Sequence, residues 1–115
     1  MYQVKDKPVA QGDMLIRRID ALPEGVSQLS GEGGKYILAH SETGHHHVVK
    51  KEHGVTFWAN DNNPLVAFLV VDNTKALVEH ERNFDTHAPF ELDNGIYEIT
   101  RQIESFPEGF RRALD

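Results

Sequence analysis

The stretch Leu65-Val66-Ala67-Phe68-Leu69-Val70-Val71 is the longest apolar run in this chain of 115 residues, and the fold class follows from it. Turn-forming residues enclose it, with Asn60-Asp61-Asn62-Asn63-Pro64 before it and Asp72-Asn73 after it. A short apolar run with such boundaries is typical of a strand that is buried on both faces. The run is far shorter than the roughly 20 residues that a membrane-spanning helix needs. We therefore predict a central strand and no membrane partner.

Segments of strand-like composition recur on both sides of this run. We predict strands at residues 14–19, 36–42, 45–49, 55–58, 65–71, 75–80, 90–92 and 96–103. Their spacing of about 8–12 residues, with turn signals between most of them, is typical of a β-sandwich or a small β-barrel. Asp93-Asn94-Gly95 predicts a hairpin between the last two strands. In the final strand, Tyr97, Ile99 and Arg101 are expected to share one face.

The two ends of the chain are predicted to differ from this β pattern. Residues 1–12 are mostly polar and are expected to form a loose lead-in. In residues 105–115, apolar side chains recur every four positions from Phe106 to Leu114, which predicts a short C-terminal helical tail against the sheet. A chain of this length supports one hydrophobic core. We therefore expect one mainly β domain over residues 1–115.

The amino-acid composition of the chain argues against several classes of binding partner and site. The chain has 12 Lys and Arg against 18 Asp and Glu, a net charge of −6 with neutral histidines. Such an acidic domain repels phosphate backbones, so we expect no nucleic-acid partner. The chain has no cysteine, which excludes disulfides, thiolate metal sites and cysteine catalysis. Residues 1–6 carry charge where a signal peptide would be apolar, and together these features favour a cytoplasmic protein.

The unusual feature is a set of seven histidines. His45 and His47 are two positions apart, so on a strand they share one face and can converge on one ion at about 2.0–2.1 Å. His80 and His87 enclose a polar segment and could approach from adjacent strands. We predict a metal site whose ligands are His45, His47, His80 and His87. The acidic residues nearest to these histidines in the sequence are Glu42 and Glu79.

Imidazole and carboxylate ligands without thiolate suit a divalent transition metal, namely zinc, iron, nickel or manganese. The sequence has no phosphate-binding loop and no Gly-x-Ser-x-Gly motif, so it identifies no catalytic residue and no organic cofactor site. The competing interpretation is that the histidines are solvated or donate to buried carbonyl oxygens; a third is pH sensing. His53 is expected to be exposed, and His40 to be a core residue or a neighbour of the ligands.

Several of these residues carry a resemblance. The segment Glu42-Thr43-Gly44-His45-His46-His47, together with His80 and His87-Ala88-Pro89, resembles a group of small uncharacterised bacterial and phage proteins with a Gly-His-x-His element. The resemblance covers most of the chain and implies no particular reaction. It favours the same four histidines as the functional positions.

A fainter resemblance is to the cupins, which are small β-barrels with a His-x-His element in their first motif. His45-His46-His47 fits that element, but Glu52 lies later than the cupin glutamate and the second cupin motif is absent. Two function hypotheses follow. The first is a His-rich metal-binding β domain, with enzymatic activity left open. The alternative is a non-enzymatic structural or interaction module, for example a phage-related one, that forms a homo-oligomer through residues 65–71 or the tail.

Overall fold

The computed structural model describes residues 2–4, 8–11, 14–39, 46–80 and 89–101. Within these ranges the chain forms eleven strands: β1 (Tyr2–Val4), β2 (Val9–Gln11), β3 (Met14–Ile19), β4 (Val26–Leu29), β5 (Lys35–Ala39), β6 (His47–Lys50), β7 (Val55–Asn60), β8 (Val66–Val71), β9 (Ala76–His80), β10 (Phe90–Leu92) and β11 (Gly95–Arg101). The mainly β prediction is confirmed. In the described ranges no helix is long and apolar enough to cross a membrane. The predicted helical tail at 105–115 lies outside the described residues.

The strands form two sheets that face each other. One has five strands in the order β1-β10-β9-β6-β5, and the other has six in the order β2-β3-β11-β8-β7-β4. Neighbouring strands are antiparallel except for β1 and β10, which are parallel. The described strands do not close into a barrel. Of the two predicted architectures the sandwich is therefore the one observed, and the cupin-like barrel is not confirmed.

The core lies between the sheets because apolar residues alternate along the strands. Ile16 on β3 and Leu69 on β8 are fully buried from one side, and Val78 on β9 is fully buried from the other. Contacts across the sandwich include the rings of Tyr36 and Phe57, whose centroids are 5.7 Å apart. Burial of this apolar surface contributes about 25 cal/mol per Å², which makes it the main stabilising term.

The apolar run at residues 65–71 supplies β8, which lies between β11 and β7 in the six-stranded sheet. Leu69 is buried in the core, while Phe68 points to the outer side of the sheet and is still only 3% exposed. Val66 and Val70 share that outer side and are half-buried. The prediction of a central strand is therefore confirmed, with its outer face less completely covered than its inner face.

The predicted hairpin at Asp93-Asn94-Gly95 is wrong. β10 pairs with β9 and β1, whereas β11 pairs with β3 and β8, so this turn carries the chain from one sheet to the other. Two hydrogen bonds hold the crossing. The Tyr97 hydroxyl donates to the carbonyl oxygen of Asp93 at 2.6 Å, and Arg18 Nη2 donates to that of Asn94 at 2.7 Å. The bond from Arg18 and the pairing of β11 with β3 and β8 involve residues far from the turn in the sequence, so the sequence of the turn alone does not predict its path.

Two further differences concern edge strands. The stretch 1–12, expected to be a loose lead-in, contains β1 and β2, which pair with β10 and β3. β4 was not predicted, and it pairs with β7 at the other edge of the six-stranded sheet. Three of its four residues are exposed, so it lacks the apolar alternation that marks the central strands. Short strands at a sheet edge take their structure from the neighbour that they pair with.

Candidate functional site

Two of the four predicted ligands are brought together by the pairing of β6 with β9. His47 and His80 are direct Cα partners in this antiparallel pair, followed by Val48 with Glu79 and Val49 with Val78. Directly opposite positions share a face of the sheet, with Cβ atoms about 4.5–5.5 Å apart. The register therefore makes cross-strand neighbours of two histidines that are distant in the sequence.

His47 belongs to the inner side of the five-stranded sheet. It is only 7% exposed, and it is the one buried polar or charged residue in the part of the chain that the structure describes. Two positions later Val49 is 1% exposed and belongs to the core. A buried imidazole is costly to desolvate unless it has an interaction partner, and His47 has one in the structure. His47 therefore brings a polar side chain to the inner side of a sheet that is otherwise lined by apolar core residues.

The histidine pair lies where several strands begin or end. Ala39, His47 and His80 form a row across β5, β6 and β9, and each is the first or last residue of its strand. The segments 40–45 and 81–88, which follow Ala39 and His80, contain the other two predicted ligands. His45 and His87 lie outside the described residues, as does His40.

The other residues singled out in the sequence differ in where they lie. Glu79 is exposed and lies opposite Val48, so it belongs to the other face of the sheet from His47. Glu79, one of the two acidic residues nearest to the histidines in the sequence, therefore does not share the face of the sheet on which His47 lies. Glu42 lies outside the described residues. His53 is exposed in the turn between β6 and β7, as expected, and His46 is half-buried just before β6.

A metal site would need more ligands than this pair. Among the residues that the structure describes, no group of three or more histidine or acidic side chains is arranged to hold an ion. The four-histidine set is not tested by this finding, because the described side chains include only His47 of the four. The structure thus shows that His47 and His80 are cross-strand partners, and the metal site with its four ligands stays a prediction.

Arg101 is a residue of this end of the sandwich to which sequence reasoning assigned no function. It is the last residue of β11, and its Nε donates to the carbonyl oxygen of Leu38 on the opposite sheet at 2.8 Å. Its Nη1 donates to the carbonyl oxygen of Pro64 at 3.2 Å. Burial of the guanidinium lowers the pKa of Arg101. The sequence does carry a signal for this position. Arg101 lies two and four positions after the core residues Ile99 and Tyr97, so it belongs to the same face of the strand.

Comparison with known proteins places most of the chain in one family and supplies no activity. A family profile described as a domain of unknown function, DUF8820, matches residues 10–102. This agrees with the expected resemblance to small uncharacterised proteins, but it shows neither a shared Gly-His-x-His element nor a relationship to cupins. No curated protein and no solved structure matches significantly.

Proposed function

We propose that this chain, which belongs to the DUF8820 family of domains of unknown function, is a metal-binding β domain with His47 and His80 at the centre of its site. The observation that carries the proposal is the register of β6 and β9, in which these two histidines are direct partners. Opposite positions on antiparallel strands are close enough for two imidazoles to bind one ion, since zinc–nitrogen bonds are about 2.0–2.1 Å long.

The proposed site includes His45 and His87 as further ligands. His45 lies two positions before His47, and His87 belongs to the segment that joins β9 to β10. Both are therefore tied along the chain to strand ends near the pair. Three or four imidazoles without thiolate suit zinc, nickel, iron or manganese, with zinc and nickel ahead of manganese because imidazole is a softer ligand than carboxylate.

The chemistry available to such a site follows from its ligands. Imidazole binds a metal in its neutral form, so affinity should fall as the solution becomes acidic. A site with three histidines and an open position could activate water, whereas four histidines would hold the ion without reaction. The proposal is therefore limited to metal binding. A cytoplasmic setting is part of it, because an acidic domain without cysteine suits a reducing compartment.

Metal analysis of untagged protein tests the proposal. The protein is stripped with a chelator and titrated by calorimetry with Zn²⁺, Ni²⁺ and Mn²⁺. We expect about one equivalent of zinc to bind. His47→Ala and His80→Ala should each weaken binding at least about tenfold, since even outer-shell partners contribute that much.

The matched control is His53→Ala, which removes an exposed imidazole from a turn away from the pair. It should leave zinc affinity unchanged. Circular dichroism establishes that each variant is folded, which matters most for the buried His47. Less than about a tenth of an equivalent bound to the folded wild-type protein would contradict the proposal, as would equal losses in all three variants.

A second candidate function, a self-associating module, is favoured by the outer face of the six-stranded sheet. Trp58, Val66, Val70 and Ile96 are half-buried there beside Phe68, and the ion pair of Arg17 with Glu98 borders them on the same face. Apolar side chains that stay partly exposed on one face of a sheet can contribute to a protein–protein contact. A second copy of the chain is the proposed partner, in line with the alternative of a structural module.

Analytical ultracentrifugation tests this second candidate. The wild-type protein should dimerise, and Val70→Glu should shift it to monomer because a charge would be buried in the contact. Leu77→Glu is the matched control, because Leu77 is half-buried on the outer face of the five-stranded sheet, away from the proposed contact. A wild-type protein that stays monomeric at millimolar concentration would contradict this candidate.

A further inference from the structure

A cavity of about 290 Å³ opens at the edge of the sandwich, where the chain passes from β4 to β5. The buried rings of Tyr36 and Phe57 line it, together with the side chains of Leu29 and Ile37. Its volume is near the lower end of the range of small-molecule sites, roughly 300–1,000 Å³. The cavity therefore has a size close to that of small-molecule sites, and its lining combines apolar side chains with the polar residues Ser30, Glu32 and Arg101.

One cationic residue lines this cavity, Arg101. Arginine has five N–H donors, and the bonds to Leu38 and Pro64 use one each on Nε and Nη1. Those two bonds also fix the orientation of the group. Within the described ranges no carboxylate forms an ion pair with Arg101. The guanidinium is thus positioned, partly desolvated and able to donate further hydrogen bonds.

We infer that this cavity binds a small molecule with an apolar body and one carboxylate group. The carboxylate accepts hydrogen bonds from Arg101, and the apolar body lies against Tyr36 and Phe57. A charged pair of this kind is stronger than a neutral hydrogen bond and is often bidentate. The bound anion would also offset the desolvation that lowers the pKa of Arg101. This site does not depend on the proposed metal site.

The charge of the lining favours a carboxylate over a phosphate. Glu32 also lines the cavity and is exposed, so a negative charge lies near the opening. A dianionic phosphate would be repelled more strongly than a monoanion, while only one arginine is available to bind it. A single carboxylate matches the single positive charge of Arg101.

The probe for this inference is 3-phenylpropionate, with its neutral amide as the matched control ligand. Both are titrated into isotopically labelled, metal-free full-length protein, and binding is followed by NMR chemical-shift changes. The acid should change the chemical shifts of residues that line the cavity, and these changes should level off as the site becomes saturated. The amide should cause no such saturable change. Arg101→Gln should weaken binding about 10- to 100-fold, which corresponds to the loss of a hydrogen bond to a charged group. Arg17→Gln is the control, because Arg17 is an exposed arginine paired with Glu98 outside the cavity.

Arg101→Gln could disturb the fold because it removes the hydrogen bonds to Leu38 and Pro64. A second variant therefore tests the inference independently. Glu32→Gln removes an exposed negative charge from the cavity, so it should tighten binding of the acid about two- to fivefold and leave the amide unaffected. The inference is overturned if the acid shows no saturable binding up to about 10 mM, or if the amide binds equally well. It is also overturned if Glu32→Gln leaves the affinity for the acid unchanged. Because metal-free protein is used, failure here is distinguishable from failure of the metal proposal.

Discussion

Replacing Tyr97 by phenylalanine should lower the free energy of unfolding by about 1 kcal/mol at neutral pH. Tyr97 is fully buried, and its hydroxyl donates to the carbonyl oxygen of Asp93 at 2.6 Å. A neutral hydrogen bond contributes about 1 kcal/mol to stability. The carbonyl oxygen of Asp93, which loses its donor in the variant, adds only a small penalty because Asp93 is half-buried and within reach of water. In a domain of 115 residues such a loss lowers the melting temperature by about 4 °C.

The same substitution should change how stability depends on pH. Burial raises the pKa of the Tyr97 hydroxyl, an effect that the charge of Arg18 opposes and that of Asp93 reinforces. A group whose pKa is raised on folding contributes stability that is present below its unfolded pKa, about 10 for tyrosine, and is lost as the pH rises through the folded value. The wild-type protein should therefore lose stability in strongly alkaline solution, and the Tyr97→Phe variant should lose less.

Urea unfolding measured at about pH 7 and about pH 11 tests both parts, with the fluorescence of Trp58 as the signal. Tyr36→Phe is the matched control, since it removes another buried hydroxyl that donates to a backbone oxygen, that of Val55, at 3.2 Å. This control should keep the alkaline loss of the wild-type protein because Tyr97 is intact. The reasoning is refuted if Tyr97→Phe and the wild-type protein lose the same free energy between the two pH values.

Three further predictions concern packing and the metal site. Gly54→Ala should cost more than Gly33→Ala in urea unfolding: both glycines have positive φ, but only at Gly54 would the new Cβ lie 2.6 Å from a backbone oxygen, that of Asp72. Leu69→Ala should lower the free energy of unfolding by about 2–5 kcal/mol, whereas Leu29→Ala, at an exposed position, should change it by less than about 0.5 kcal/mol. Zinc at a hundred times its dissociation constant should stabilise the protein by about 2.7 kcal/mol in thermal unfolding, and no stabilisation would contradict the metal proposal.

The central strands were predictable from the sequence, and their partners were not. Apolar and β-branched composition is a local property, and it identified β3 and β8 with nearly their observed bounds. The assignment of β10 and β11 to different sheets depends on pairing with strands far along the chain, so Asp93-Asn94-Gly95 was mistaken for a hairpin. β4 was missed for a related reason, because an exposed edge strand is stabilised by its neighbour β7.

The sequence predicts which residues belong to the candidate site, but it does not predict how they are arranged relative to one another. The sequence marks His47 and His80 as candidate ligands, but their opposition is a matter of register, which the whole sheet determines. The alternation of side chains along a strand could have excluded Glu79 as a partner of the histidines. Glu79 lies between Val78 and His80, so it points to the opposite face of the strand from both of them. The same reasoning could have drawn attention to Arg101, a charged residue in phase with a buried face.

The position of β11 has a consequence for how the protein is made. β11 is the last described strand in the chain, yet it lies between β3 and β8 in the middle of the six-stranded sheet. During synthesis, β3 and β8 emerge from the ribosome well before the strand that joins them, with backbone groups unpaired along one side. Such exposed strand edges are prone to join other chains. Folding to the native sheet must wait for β11, so we expect a slow folder that needs protection from aggregation while it is being translated.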